Sequence, residues 1–320
     1  MGTFNQNTQM NLANQTNETK RLKFAVLGNP IEHSLSHLIH REFASQTGID
    51  LEYDRIQVNV DFFPQAIESL IKQGYHGFNI TLPFKEEAHD FCQKRGRLTP
   101  LASRACAVNT VDIKADGVSG HNTDGLGLVR DLVKRLNTSL YGKKILVLGA
   151  GGAVRGIVPA LLDAGADVRL SNRTHARAEA ICELFDVRAI PLAVLQSPEK
   201  AKRETFDLVI NATSSELNLS SLGLADEVFA HTELAYDLMY RKDRLTTVFL
   251  QHAKDCHVAT TSDGLGMLIE QAAQAFDIWH DVFPETAPVL EKIESHLLRE
   301  HLQRMGGSSE QDFQNGTTLQ

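Results

Sequence analysis

The stretch from Lys144 to Arg177 constrains the fold of this chain more than any other. Its apolar, β-branched run Ile145-Leu146-Val147-Leu148 reads as a buried parallel strand. The run ends in Gly149-Ala150-Gly151-Gly152, where backbone amides can approach a pyrophosphate with no Cβ in the way. A helical pattern follows from Ala153 and stops at Gly165, and Ala166 to Leu170 reads as a second strand. Strand, glycine turn, helix and strand is the order that a dinucleotide site needs. A strict GxGxxG is broken, because Val154 holds the third glycine position and Gly156 comes two residues later. The bland alternative is a tight turn with no ligand, but the elements on either side favour a nucleotide.

The end of the second strand bears on which nucleotide. An NAD site usually places an acid there, accepting from the ribose 2′-OH. Here the strand runs into Ser171-Asn172-Arg173-Thr174, with Arg177 just beyond. A guanidinium suits a 2′-phosphate, which it can bond in a forked geometry. Two solvated arginines at a helix start are the alternative. The pattern favours NADP.

At 320 residues the chain has room for two domains, and 42% apolar with 22% charged residues describes a globular protein. A net charge of −8 argues against general nucleic-acid binding. No run approaches the roughly 18 uninterrupted apolar residues of a membrane span. The polar N-terminus lacks the apolar core of a signal peptide. Residues 1–21 and 305–320 read as disordered tails. Cys92, Cys106, Cys182 and Cys256 are far apart and form no CxxC, which fits reduced thiols in a cytoplasm. The partner expected is a small molecule, with neither nucleic acid nor membrane.

Before the glycine unit, strands at Leu22–Leu27, Leu51–Val58 and Gly77–Leu82 alternate with helical patterns ending near Gly48, Gly74 and Cys92. Ala107 to Thr123 looks like a hairpin turning at Asp116-Gly117, and Gly127 to Leu136 like a helix. After the unit come a helix (Ala176–Phe185), strands (Phe206–Ile210, Leu234–Leu238), a helix (Leu245–Lys254) and a short strand near Val258. Pro159 should kink or end the first helix of the unit. Long helices follow at Leu265–Val282 and Pro288–Leu302. The pattern predicts two α/β domains with a cleft between them. A hinge at Asn122 to Gly125 separates an N-terminal α/β domain with a mostly parallel sheet from a Rossmann-like NADP domain.

A nucleotide domain beside a second α/β domain suggests hydride transfer in the cleft. Reducing a ketone also requires a proton at the substrate oxygen, hence a titratable group within reach. Lys85 follows a strand end in Thr81-Leu82-Pro83-Phe84-Lys85, where α/β ligands collect, although position alone favours an ordinary exposed lysine opening a helix. Asp124 in Asn122-Thr123-Asp124-Gly125 is a second candidate, or a turn and N-cap aspartate. Ser34 and Ser36 could hold a carboxylate, or could cap the next helix. The thirteen histidines form no spaced ligand set and read as solvated or structural, so no metal is expected.

At these residues the sequence resembles the shikimate dehydrogenase family. The likeness runs from about Lys23 to Leu298 through Gly28-Asn29-Pro30-Ile31, His33-Ser34, Asn79-Ile80-Thr81-Leu82-Pro83-Phe84-Lys85, Ala107-Val108-Asn109-Thr110 and Asn122-Thr123-Asp124-Gly125. It continues through GAGGAxRG, Asn172-Arg173-Thr174 with Arg177, Asn211-Ala212-Thr213-Ser214 and Asp263-Gly264-Leu265-Gly266-Met267. The resemblance implies reversible reduction of 3-dehydroshikimate to shikimate with NADPH, a step of aromatic amino-acid biosynthesis. It implies Lys85 and Asp124 as the catalytic pair and Ser34 and Ser36 as carboxylate ligands. It implies Asn79, Thr81, Asn109 and Gln271 at the ring hydroxyls, with Tyr240 at the substrate. Through Gln271 on the long C-terminal helix, it implies that this helix returns to the first domain, giving a substrate domain of residues 22–123 plus 262–304 and an NADP domain of 124–261. For the cofactor it implies Gly149, Ala150, Gly151, Gly152, Ala153, Asn172, Arg173, Thr174, Arg177, Ala212, Thr213, Ser214, Leu238 and Gly264. A monomer or homodimer is expected. His37 stands where the family often has proline, and Cys106 where it usually has glycine. The rival readings are a quinate/shikimate dehydrogenase with dual NAD and NADP use, and a non-catalytic sensor of shikimate-type ligands. The first should carry an acid near Arg173, and Thr174-His175-Ala176 supplies none.

Overall fold

The computed structural model describes residues 21–213 and 222–314, with side chains to residue 305. Of the expected tail at residues 1–21, residues 1–20 lie outside them, and Arg21 is placed and pairs with Asp50 at 2.8 Å. Two six-stranded sheets organise the chain. The first contains β1 (Leu22–Gly28), β2 (Leu51–Gln57), β3 (Tyr75–Ile80), β4 (Gly96–Leu98), β5 (Thr110–Lys114) and β6 (Gly117–His121). Their order is β2-β1-β3-β5-β6-β4. Strands β2, β1 and β3 run parallel, β5 and β6 form the expected antiparallel hairpin, and β4 lies parallel to β6.

The second sheet is wholly parallel: β7 (Lys144–Leu148), β8 (Asp167–Ser171), β9 (Arg188–Ala189), β10 (Leu208–Asn211), β11 (Leu234–Asp237) and β12 (Thr260–Asp263). Its order is β12-β11-β10-β7-β8-β9, with chain reversal beside β7. Ligands of such sheets collect at that reversal.

The helices follow from the same apolar periodicity. Around the first sheet lie α1 (Ser36–Thr47), α2 (Phe63–Lys72), α3 (Lys85–Arg95) and α4 (Pro100–Ala105). Next come α5 (Asp124–Arg130), α6 (Gly152–Asp163), α7 (His175–Phe185), α8 (Leu192–Leu195), α9 (Pro198–Ala201) and α10 (Val248–Asp255). The chain closes with α11 (Leu265–His280) and α12 (Ala287–Gln314). Alternate strand residues feed opposite cores. Ile145 and Val147 pack with α5, α6 and α7, whereas Leu146 and Leu148 pack with Leu195, Phe229 and Phe249. In the first sheet, Ala25, Leu27 and Phe78 meet α2 and α3, while Phe24 on the other face stacks on Trp279 of α11. Helix α11 joins the two bodies: Ile269 and Phe276 pack with α1 and α12, and Met267 belongs to the nucleotide-sheet core.

Three expectations need correction. Helix α6 does not end at Pro159 but runs to Asp163, because its residues 156–161 are all buried and packing outweighs the lost backbone donor. The helix expected from Gly127 already starts at Asp124, then widens into a π-helical turn at Asp131–Arg135. The last helix passes Leu302 and the expected tail boundary at 305 and stays helical to Gln314, each further residue adding one backbone hydrogen bond. Cys106, in place of the family's usual glycine, takes a left-handed backbone (φ 48°) after α4, a conformation glycine adopts without a Cβ penalty.

Candidate active site

The cleft lies at the carboxyl ends of both sheets, and two cavities meet in it. The larger, about 390 Å³, is lined by Gly149, Ala150, Gly151, Gly152 and Ala153 of the glycine turn and by Asn172, Arg173, Thr174 and Arg177. Ala212, Thr213, Leu238 and Gly264 complete that wall. The smaller, about 280 Å³, is lined by Ser34, Ser36, Asn79 and Asn109. Thr81, Lys85, Tyr240 and Gln271 line both, and Asp124 lines the larger. The structure thus brings together every expected site residue except Ser214, which lies outside the described residues.

Lys85 opens α3, and its carbonyl accepts from the Val108 amide at 2.8 Å. Its ammonium donates to Asp124 Oδ2 at 2.6 Å, with the side chains only 13% and 2% exposed. Neither local alternative describes these residues: Lys85 is not a solvated lysine, and the Asp124 carboxylate does not cap its helix. Asp124 Oδ1 accepts instead from Asn109 Nδ2 at 2.9 Å. An ammonium carries three protons, so this ion pair leaves others for an acceptor in the cleft.

Glycines set this placement. A Cβ on Gly125 would come within 2.5 Å of the Gly156 carbonyl oxygen, and one on Gly156 within 3.0 Å of Asp124 Oδ2. Gly156, the glycine displaced from the usual fingerprint, therefore lets α6 close against the segment that carries Asp124.

Asn109 holds the centre. Its Oδ1 accepts from the Thr123 amide at 2.7 Å. Its Nδ2 faces Thr123 Oγ1 (2.9 Å), Asp124 Oδ1 (2.9 Å) and Gln271 Oε1 (3.0 Å). Two protons serve these three acceptors, so one acceptor has capacity for another donor. On the far wall, Ser34 Oγ donates to Ser36 Oγ at 3.2 Å and accepts from the Ser36 amide at 3.3 Å. The N-cap residue Leu35 supplies no side-chain cap, and Ser34 Oγ serves the first amide of α1 while both hydroxyls line the cavity.

Two residues here escaped the sequence reading. Tyr53 donates to Asn79 Oδ1 at 2.6 Å, and His40 Nε2 lies 3.1 Å from the same oxygen. The two rings stack at 4.4 Å. Together they fix the Asn79 amide, turning its Nδ2 towards Thr110 Oγ1 at 3.1 Å. The missed signal is helical: Ser36, Ile39, His40 and Phe43 share the buried face of α1.

Burial, the largest effect, pushes the His40 imidazole down from 6.5 to about 3, with His280 acting in the same direction. Neutral His40 must then donate from Nε2 to Asn79. Because its folded value lies below its unfolded one, this contribution to stability is whole above pH 6.5 and is lost as pH falls towards 3. Urea unfolding of the wild type should show stability declining below pH 6.5, and His40→Gln should flatten that decline. An unchanged pH slope in the variant would remove His40 as its source.

On the cofactor side, Asp237 at the end of β11 accepts from Asn211 Nδ2 (2.9 Å), Thr247 Oγ1 (2.7 Å) and the Met239 amide (3.0 Å). Asn211 in turn accepts from Thr213 N and Oγ1. This net fixes the Ala212-Thr213 and Leu238-Met239 walls. Burial, ahead of the neighbouring Asp263 charge, lifts the Asp237 carboxyl to about 6.

Fitness for NADP can be judged from the donors. The turn presents Gly151 with no atom within 4 Å of an added Cβ, leaving open space over its backbone. Asn172 Nδ2 bonds the Thr174 carbonyl at 2.9 Å and shapes the loop that carries Arg173. Asp124 is the only carboxylate on the described wall, and Lys85 already engages it. The donor set suits a pyrophosphate and a further phosphate.

Comparison with known proteins agrees with this geometry. Residues 26–111 match the family model of the shikimate dehydrogenase substrate binding domain. Residues 131–238 match shikimate / quinate 5-dehydrogenase, and residues 264–294 the shikimate 5'-dehydrogenase C-terminal domain. The chain is 44% identical over 269 residues to the shikimate dehydrogenase (NADP(+)) of Methylobacillus flagellatus, covering 84% of this chain and 97% of that one. It is 45% identical over 273 residues to the corresponding protein of Alkalilimnicola ehrlichii, with the same coverages of 84% and 97%. Among solved structures, shikimate 5-dehydrogenase of Thermus thermophilus in complex with NADP(H) and shikimate superposes with a TM-score of 0.75. That pair shares 36% identity, covering 86% of this chain and 99% of the other.

Proposed function

We propose, from the premise that this chain belongs to the shikimate dehydrogenase family, that it reversibly reduces 3-dehydroshikimate to shikimate with NADPH, in aromatic amino-acid biosynthesis. One observation carries the residue assignments: Lys85, paired with Asp124, lines both cavities and so stands where a hydride donor and its acceptor would meet.

When bound, NADPH supplies the hydride. Gly149 to Ala153 would hold its pyrophosphate, and Arg173 and Arg177 its 2′-phosphate, with Ala212, Thr213, Leu238 and Gly264 along its length. Ser34 and Ser36 would receive the substrate carboxylate. Asn79, Thr81, Asn109 and Gln271 would orient the ring hydroxyls, and Tyr240 would close the substrate side. Lys85 delivers a proton to the carbonyl oxygen as carbon is reduced, and Asp124 fixes the ammonium towards that oxygen. In the reverse direction Lys85 takes the hydroxyl proton.

Residues 22–123 with 262–304 serve as the substrate domain and 124–261 as the NADP domain. One chain lines both cavities, so a monomer suffices. No described helix is long and apolar enough to cross a membrane. The four cysteines are free thiols, which supports a reducing cytoplasm. A sensor without catalysis would have no use for the Lys85–Asp124 pair. Purified protein should oxidise NADPH when 3-dehydroshikimate is added and not before. Folded protein that leaves NADPH unchanged would overturn the reading.

A further inference from the structure

Behind the nucleotide sheet, on the face opposite α6, three residues of different chemistry converge. His252 lies on α10 and Cys256 follows one turn later at its C-terminus. Asp226 opens the short 3₁₀ turn Asp226–Phe229 that packs alongside. One ligand atom from each lies within 4.8 Å of the others, the only such trio of His, Cys and acid among the described residues. His252 Nε2 donates to Asp226 Oδ1 at 2.8 Å, and its ring is held edge-on by Phe229 at 5.1 Å. The Cys256 thiol donates to the same carboxylate.

Two protons therefore point at one carboxylate, from a nitrogen and a sulfur that are both metal-ligand atoms. Tetrahedral zinc ligands sit about 3.3–3.8 Å apart given bond lengths of about 2.0–2.3 Å, so small side-chain rotations suffice. The surrounding field has the right sign. Burial first, then the charge and hydrogen bond of Asp226, and last Asp255 and Glu227 push the Cys256 thiol up to about 11, and the same three carboxylates attract a cation.

We propose that Asp226, His252 and Cys256 form a binding site for a borderline-soft divalent cation of the zinc type, with water as fourth ligand. Binding releases the Cys256 S–H proton to solvent and moves the imidazole proton from Nε2 to Nδ1, so that S⁻, N and O⁻ face the ion. No electron is transferred. The ion ties α10 to the 3₁₀ turn and does no chemistry in the cleft.

Metal-stripped full-length protein titrated with Zn²⁺ against a chromophoric chelator should bind one ion per chain, with about one proton released. Co²⁺ should give a near-ultraviolet thiolate charge-transfer band. In Cys256→Ser the band should vanish and zinc affinity fall at least tenfold, while Cys106→Ser keeps both and all variants keep wild-type turnover. His252→Gln, which keeps the thiol, should weaken zinc by a similar factor. A band that survives in Cys256→Ser, a zinc affinity that the substitution leaves unchanged, or no binding by wild type, would overturn the site.

Discussion

Lys85→Ala should lower kcat by about 10³-fold, within the range expected when a positioned proton donor is lost. NADPH affinity should stay within about threefold, because the glycine turn and Arg173 loop do not depend on this side chain. Asp124→Asn should also slow turnover, since it loosens the 2.6 Å contact that orients the ammonium. In a double-mutant cycle the second change should add little to the first, because the two residues act as a unit. Rapid-mixing kinetics with NADPH and 3-dehydroshikimate would measure all four forms. A loss below tenfold in Lys85→Ala would remove it from proton transfer.

Arg173→Ala should weaken NADPH by roughly 10–100-fold, the cost of losing charge-assisted hydrogen bonds to a phosphate dianion. NADH lacks that phosphate, and its binding should change by less than about threefold. The contrast between cofactors is the informative part. Equal losses for both would show that Arg173 shapes the loop rather than holding the 2′-phosphate. Fluorescence titration of each reduced cofactor reads the two constants directly.

Much of the fold was legible because long elements carry periodic signals. The run Ile145 to Leu148 and the stripe Leu265, Leu268, Ile269, Ala272, Phe276 both sit in elements of the expected type. What escaped was short or tertiary. Strands β4 and β9 have three and two residues and depend on neighbours rather than pattern. The π-helical turn at Asp131–Arg135 reflects a buried net in which Asp131 accepts from Arg135 and from Tyr236, 105 residues away.

The site divides in the same way. The glycine turn and its arginines are one contiguous unit, so local chemistry alone pointed to a phosphate-bearing nucleotide. Lys85 and Asp124 are 39 residues apart, and Asn109 meets Gln271 across 162. No local rule separates such a pair from a solvated lysine and a turn aspartate; only their family motifs did. His40 and Tyr53 belonged to no motif and became visible only when β2 and β3 brought them onto Asn79. The broken fingerprint is now explained, since Gly156 is needed where α6 meets Asp124.

The central claim is that this cleft joins an NADP site to a shikimate site at Lys85. Initial rates of the purified protein with shikimate and with quinate, each with NADP⁺ and with NAD⁺, test it most directly. The account predicts the highest kcat/KM for shikimate with NADP⁺, by at least about tenfold over either single exchange. Equal or greater kcat/KM for quinate with NAD⁺ would contradict it.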